Sequence, residues 1–274
     1  MKIGASFTLN FAEELSITEY LTKAKSFGLQ VVELVAEPPY CFISDIDQIS
    51  REKIKLHAQK LEMDLTVHAT FSDINIAALN ENIRHFAISE IKKCIDFSKD
   101  IGSKIVTIHP GDFGALGHYN PELSYKRNFQ SIKELTEYAE KMGVIIGLEN
   151  MPIMPSNQLV DAYSPSKIQE IVDTINSDYL KITWDVGHSH TTNFSFDDFF
   201  EAFKDQVIHF HLHDNDGPQD GWCDTHLELH KGTMNWQLFF KQILTLKKDF
   251  TMVLELDTWE KISNSIELIN KYLN

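Results

Sequence analysis

The sequence predicts a single closed (β/α)8 barrel, and three observations predict it. Short apolar runs rich in β-branched residues recur along the chain and alternate with stretches of helical period. Eight such runs fall near residues 2–7, 30–36, 64–69, 104–109, 144–149, 180–186, 207–213 and 251–256. Residues able to bind metal stand at the carboxyl ends of many of them, in VHAT, TIHPG, GLEN, WDVGH, HFHLHD and VLELD. Positions so far apart in the chain meet only where strand ends converge, and a parallel barrel builds its site from the loops at the C-terminal ends of its strands.

Boundary signals support each element in turn. After the first strand, KIGASF, the run Ser16-Ile17-Thr18-Glu19 reads as a capping box that starts a helix, and Gly28 provides the left-handed stop before the second strand. Gly102 and Gly143 play the same part before the fourth and fifth strands. Asn120-Pro121 and Ser164-Pro165 read as an N-cap followed by Pro in the first helical position, and Ser195 stands at capping-box spacing from Asp198. The segment 212–235 is one long connection, marked as irregular by Gly217, Pro218, Gly221 and Gly232, and long loops in compact domains are often functional. With no low-complexity linker or composition break, residues 1–274 form one domain in which strands alternating with helices imply a parallel sheet.

Composition narrows the function classes. The length of 274 residues is typical of one such barrel, and the 43% hydrophobic content is ordinary for a globular protein. No apolar stretch approaches the roughly 20 residues that a membrane-spanning helix needs, and the start of the chain lacks a basic region followed by an apolar signal core, so a cytoplasmic location without membrane partners is the expectation. Cys41, Cys94 and Cys223 are odd in number and lie outside any CxxC spacing, which argues against a disulfide framework or a thiolate zinc site. A net charge of −15 disfavours nucleic acid and other long polyanions as partners.

Nine residues form the candidate ligand set: His68, His109, Glu149, Asp185, His188, His211, Asp224, His226 and Glu255. Imidazoles and carboxylates without thiolate pairs suit zinc, manganese, cobalt or iron as divalent ions. Glu149 and Glu255 each end an uninterrupted apolar strand, where an unpaired charge is costly and a shared cation resolves the cost. His209, His211 and His213 alternate along the seventh strand, so the period of two sends all three to one face and does not choose among them. His57, His85 and His118 lie away from strand ends and read as surface residues.

The runs HATFSDINIAALNENIR, IVTIHPG, GLENM, WDVGH, HFHLHDND, DTHLELHKGTMNW and VLELD resemble the xylose-isomerase-like TIM-barrel superfamily. The resemblance covers strands three to eight strongly and the first two weakly. It implies one of two sites. In a sugar or sugar-phosphate isomerase or epimerase, one divalent ion, zinc or manganese, is held by Glu149, Asp185, His211 and Glu255, while His188 contacts the substrate. In a zinc phosphoester hydrolase of the endonuclease IV type, all nine residues hold up to three ions. By resemblance, HLHD aligns His211 with the metal-binding His. His68, His109, Asp224 and His226 exceed what one ion requires and favour the hydrolase. Against it stand the acidic balance and the loops EPPYCFISDID and TFSDIN, which carry no basic residue.

The isomerase or epimerase reading makes Glu149 and Glu255 the groups that exchange a proton beside the substrate carbonyl, with His188 orienting the oxygen that gains charge. Trp222 and Phe7 are candidates to cover a small sugar. Related sequences commonly read Gly-Glu-Gly where this chain has His230-Lys231-Gly232, so Lys231 is the candidate contact for a substrate phosphate. A barrel that binds metal or sugar without turnover is a third reading, disfavoured by the two carboxylates.

Overall fold

The computed structural model describes residues 1–153, 158–219 and 223–273, and eight parallel strands close into a barrel in chain order. They are β1 (Lys2–Phe7), β2 (Val31–Val35), β3 (Asp64–His68), β4 (Ile105–Ile108), β5 (Ile145–Glu149), β6 (Leu180–Asp185), β7 (Val207–Leu212) and β8 (Thr251–Leu254), with β8 returning to pair with β1. Around them run α1 (Ile17–Ser26), α2 (Gln48–Lys60), α3 (Glu81–Ile101), α4 (Pro121–Met142), α5 (Val160–Tyr163), α6 (Pro165–Ile175), α7 (Val186–His190), α8 (Phe196–Phe203), α9 (Trp236–Ile243) and α10 (Trp259–Leu273). Among the described residues, no helix is long and apolar enough to cross a membrane.

The boundary residues act as their chemistry dictates. Ser16 caps α1 by accepting from the Glu19 amide, while Glu19 accepts from the Ser16 amide at 2.9 Å, and Ser195 and Asp198 repeat the exchange on α8. Gly102 and Gly143 end α3 and α4 at φ +82° and +72°, a left-handed conformation that a Cβ would strain. Ser164 precedes Pro165 as expected, but its hydroxyl meets that of Ser166 at 3.3 Å and makes no cap bond.

The strand period of two divides the barrel wall. Outward side chains such as Leu34, Val67, Ile108, Leu148 and Phe210 are buried against the helices. Trp184 is enclosed by the rings of Phe196, Phe199, Phe203, Phe210 and Phe239, and its indole N–H donates to Ser189 Oγ at 2.9 Å. Many inward positions are polar instead, with Val31, Val35 and Val253 as apolar exceptions. Register aligns Ser6, Glu33 and Thr66 across β1 to β3, and Thr183, His209 and Thr251 across β6 to β8. Gly147 fits the same interior because a Cβ there would lie 2.1 Å from Thr183 Oγ1.

Candidate metal centre

The barrel brings the nine candidate ligands together in three adjoining sets, two of them meeting at Glu149. His68 and Glu149 end their strands, His109 and Glu255 follow theirs by one residue, and His211 lies within β7. The Glu149 carboxylate is 1% exposed and faces two sets of donors. Its Oε2 is 3.1 Å from His68 Nε2 and 3.1 Å from His109 Nε2, and these nitrogens are 3.1 Å from each other. Its Oε1 is 3.0 Å from His211 Nδ1, which also lies 3.2 Å from Glu255 Oε1 and 3.8 Å from Asp185 Oδ2. A third set surrounds Asp224 Oδ2, with His226 Nε2 at 3.2 Å and His188 Nε2 at 3.4 Å.

Backbone carbonyls fix which nitrogen each imidazole presents. His68 Nδ1 meets the carbonyl of Ala69 at 2.8 Å, His188 Nδ1 that of Asn150 at 2.8 Å, and His226 Nδ1 that of Glu255 at 3.1 Å. A carbonyl only accepts, so the neutral ring carries its proton on Nδ1 and turns an Nε2 lone pair towards the carboxylates. At Glu149 Oε2, the His68 lone pair therefore faces a carboxylate oxygen, a contact that a proton or a metal cation between them relieves. A triangle of edge 3.1 Å has its corners about 1.8 Å from its centre, and zinc–nitrogen bonds are about 2.0–2.1 Å, so the spacing of these donors would suit such an ion. The residues present fit a metal of the imidazole–carboxylate class.

Without a metal, protons on the imidazoles offset the buried carboxylates. Burial disfavours charge on His188 and His211, but the carboxylates of Asp185 and Asp224 around the first and of Glu255, Glu33 and Glu149 around the second hold both well above the usual histidine range. His226, opposed by burial and favoured by Asp224, is pushed up to about 9. Burial raises Glu149 less than its His211 and His109 neighbours lower it, so its carboxyl lies well below the usual range.

Sequence reasoning missed the supports beneath these ligands. Asn150 clamps Asp185 by accepting from its amide at 2.9 Å and donating to its carbonyl at 2.8 Å. His213 reaches Asp185 Oδ1 at 3.1 Å, yet its ring lies flat on His226 at 3.8 Å. Two parallel rings cannot both aim an in-plane lone pair at one ion, so His213 buttresses Asp185 instead of joining His226 as a ligand. Gly187 makes room for it, because a Cβ there would stand 2.1 Å from the imidazole. Glu33, in the middle of VVELV, lies fully buried below His211. A charged residue within an apolar strand was the available signal.

The loop carrying Asp224 and His226 is tied down by Asp214, which accepts from the His230 amide at 2.9 Å and the Trp236 indole at 2.8 Å. His226 sits at φ +45°, a strained conformation for a residue with a side chain. Cys223 belongs to none of the donor groups among the described residues.

A cavity of about 710 Å³ opens over the ligands, and His68, His109, Glu149, His188, Asp224, His226 and Glu255 line it together with Thr8, Asn10, Phe71 and Met151. Phe71 stacks on His109 at 4.9 Å, held by Glu37, which accepts from the amides of Phe71 and Ser72 at 2.8 Å each. Phe7 does not reach the cavity lining. Ser6 takes the inward position, so Phe7 points outward and its ring is sandwiched between Tyr20 and Tyr40, at 4.1 and 4.6 Å. Lys231 is exposed on a turn and is also absent from the lining. Trp222 lies outside the described residues.

Comparison with known proteins agrees with this fold. The family described as "Xylose isomerase-like TIM barrel" matches residues 21–272. The uncharacterized protein MJ1311 of Methanocaldococcus jannaschii is 31% identical over all of this chain and 89% of its own length. A fructoselysine 3-epimerase of Shigella flexneri is 23% identical, covering 96% of this chain and 88% of its own, and a probable endonuclease 4 of Mesoplasma florum is 26% identical, covering 65% and 61%. The crystal structure of a D-tagatose 3-epimerase-like protein superposes with a TM-score of 0.87 at 29% identity, covering 100% of this chain and 97% of that one.

Proposed function

The chain belongs to the xylose isomerase-like TIM-barrel family, and on that premise we propose that it is a divalent-metal-dependent isomerase or epimerase of a small sugar. The observation that carries this reading is the pair Glu149 and Glu255. Both carboxylates line the cavity, and both converge on His211 Nδ1, at 3.0 and 3.2 Å. The likeness to sugar epimerases in sequence and in fold supports it.

Glu149, Asp185, His211 and Glu255 would hold the ion, with zinc and manganese matching the donor set. When bound, the ion supplies a Lewis acid that polarises a carbonyl and holds the adjacent oxygen. Glu149 and Glu255 take the proton from the neighbouring carbon and return it, one acting as base and the other as acid. His188 orients the oxygen that gains charge, its ring fixed by the Asn150 carbonyl. No Lys or Arg lines the cavity among the described residues, which favours a neutral sugar over a phosphorylated one.

The test is solvent exchange. Metal-loaded protein incubated with a panel of ketoses in deuterated water is expected to place deuterium on the carbon beside the carbonyl. Glu255→Gln, which keeps one ligand oxygen but cannot accept the proton, is expected to lose the exchange by several orders of magnitude. Exchange that persists unchanged in the variant removes Glu255 from the chemistry.

A second reading, a zinc phosphoester hydrolase holding up to three ions, is favoured by the donor triangles on either side of the central site, since one ion uses neither. The acidic balance and the cavity without basic residues weigh against it. Incision of abasic duplex by protein carrying three ions would reverse the ranking.

A further inference from the structure

We propose that a second, smaller cavity beside the metal centre is a substrate subsite for a cationic, amine-bearing substituent on the sugar, an inference that deepens the sugar reading above and rests on it. This cavity has a volume of about 380 Å³, within the roughly 300–1,000 Å³ of small-molecule sites. Phe71, His109 and Met151 line both it and the larger cavity over the ligands, so the two spaces share a wall. A sugar whose reacting carbon lies at Glu149 and Glu255 has this second space beside it for whatever the sugar carries.

The walls are held by dedicated hydrogen bonds. Glu37 Oε1 accepts from Thr70 Oγ1 and from the amides of Phe71 and Ser72, each at 2.8 Å, which fixes the loop after β3. Asn75 ties that loop to the one after β4, donating to Asp112 Oδ1 at 2.7 Å and accepting from the Asp112 amide at 3.1 Å. The side chain of Asn128 accepts from the Gly111 amide at 2.9 Å, and a backbone bridge pairs Asp112 with Gln158. Gly111 permits this closure, because a Cβ there would stand 2.5 Å from that of Ala77. A cavity preformed in this way costs a ligand little ordering.

The lining selects the chemistry of the substituent. Ile74, Ile76, Ile91 and Pro110 offer apolar surface to a short stem, and among the described residues no Lys or Arg lines the cavity. Asp112 is the one acidic member of that lining. Its Oδ1 accepts from Asn75 at 2.7 Å and from the Gly114 amide at 2.6 Å, while no described residue donates to Oδ2. Partly buried at the rim, the carboxyl is raised above its ordinary value with no cation to lower it. A second carboxylate stands behind the wall. Asp161, 7% exposed, accepts from Asn128 Nδ2 at 2.9 Å through Oδ2, and its Oδ1 is buried without a partner among the described residues. Burial pushes it up to about 6. Two carboxylates so weakly compensated favour a protonated amine in the space between the loops and repel a carboxylate or a phosphate.

The experiment titrates metal-loaded protein, by calorimetry, with a ketohexose carrying an aminobutyl ether on either terminal hydroxyl, and with the butyl and carboxypropyl counterparts. At one of the two attachment points the aminobutyl sugar is expected to bind about tenfold more tightly than the butyl sugar, and the carboxypropyl sugar more weakly than both. Asp112→Asn keeps an oxygen for Asn75 and the Gly114 amide but loses the charge. It is expected to cut the amine preference by about threefold to tenfold and to bind the butyl sugar as wild type does, the lower figure reflecting exposure at the rim. Equal binding of the three sugars overturns the proposal, and so does an amine preference that Asp112→Asn leaves intact. Weaker binding of all three than of the unsubstituted ketose, at both attachment points, overturns it as well, because the cavity then takes no substituent. Since the readout is binding, protein that prefers the amine but exchanges no sugar proton sinks the catalytic reading alone, whereas proton exchange on plain ketoses without any amine preference sinks this one alone.

Discussion

The outer and inner faces of the same eight strands bury opposite chemistry. Outward residues pack as an apolar shell against the helices, with Trp184 and Phe210 among the largest fully buried side chains. One position along, the inward residues include Ser6, Glu33, Thr66, Thr107, Thr183 and His209, all buried and polar, with Val31, Val35 and Val253 as buried apolar exceptions and the ligand ring above them. Barrels of this kind usually fill the interior with bulky branched side chains. Here cohesion comes from the outer face, while the inner face holds a network that keeps donors in place.

Neighbouring residues of β6 can pull the two faces apart. Trp184 points outward into a cage of five phenylalanines, and Trp184→Ala is expected to destabilise the protein by about 3–5 kcal/mol, a large part of a domain's stability. Denaturant unfolding checks this, and the fraction still folded should bind metal as before. Asp185 points inward, and Asp185→Asn keeps its shape and the cap it gives α7 while removing a ligand charge. The metal-free variant should unfold close to wild type. What it should lose is the gain from bound metal, about 2.7 kcal/mol when free metal is a hundred times Kd. Thermal scans with and without zinc decide, and a variant stabilised by zinc as strongly as wild type would falsify the assignment of Asp185.

A smaller effect follows from the protons that stand in for the ion. His226 is raised to about 9 beside Asp224, above its unfolded value of roughly 6.5. A histidine raised on folding gives stability that is fully present below the unfolded pKa and is lost as pH climbs through the folded one. The metal-free protein should therefore lose melting temperature between about pH 6.5 and 9. Metal-loaded protein should not follow it down, because ligands bind deprotonated and affinity improves as pH rises. A metal-free melting temperature that holds level across this window would show that the imidazole is not charged there.

Much of this was legible in the sequence, for a physical reason. Strand period, helix caps and ligand chemistry are local, so the eight strands, the Ser16 and Ser195 caps and the convergence of the nine donors could be read from short windows. The supports were hidden because cross-strand register decides them. Glu33 meets His209 from 176 positions away, and nothing near VVELV announces that partner. Asn150 and His213 act on Asp185 through the same kind of distant pairing. Phe7 was assigned to the mouth for want of parity: once Ser6 is placed inward against Glu33, Phe7 must face out. The excess of histidines over a one-ion site was plain in the sequence, and the structure gives that excess an ordered geometry.

The smallest expected effect concerns Lys231, whose position separates a neutral substrate from a phosphorylated one. The sequence offers it as a phosphate contact, but its side chain is exposed and the cavity lining contains no Lys or Arg among the described residues. A phosphate held without Arg or Lys would depend on backbone amides or the metal alone, whereas sugar hydroxyls are matched by the carboxylates, imidazoles, Thr8 and Asn10 that do line the cavity. Lys231→Ala should thus leave both kcat and KM within about twofold for a neutral ketose, since a solvated lysine contributes little to a contact it does not make. Steady-state kinetics on matched pairs of free and phosphorylated ketoses provides the check. A rise in KM confined to the phosphorylated member of each pair would bring Lys231 into the site and put a sugar phosphate ahead of a neutral sugar.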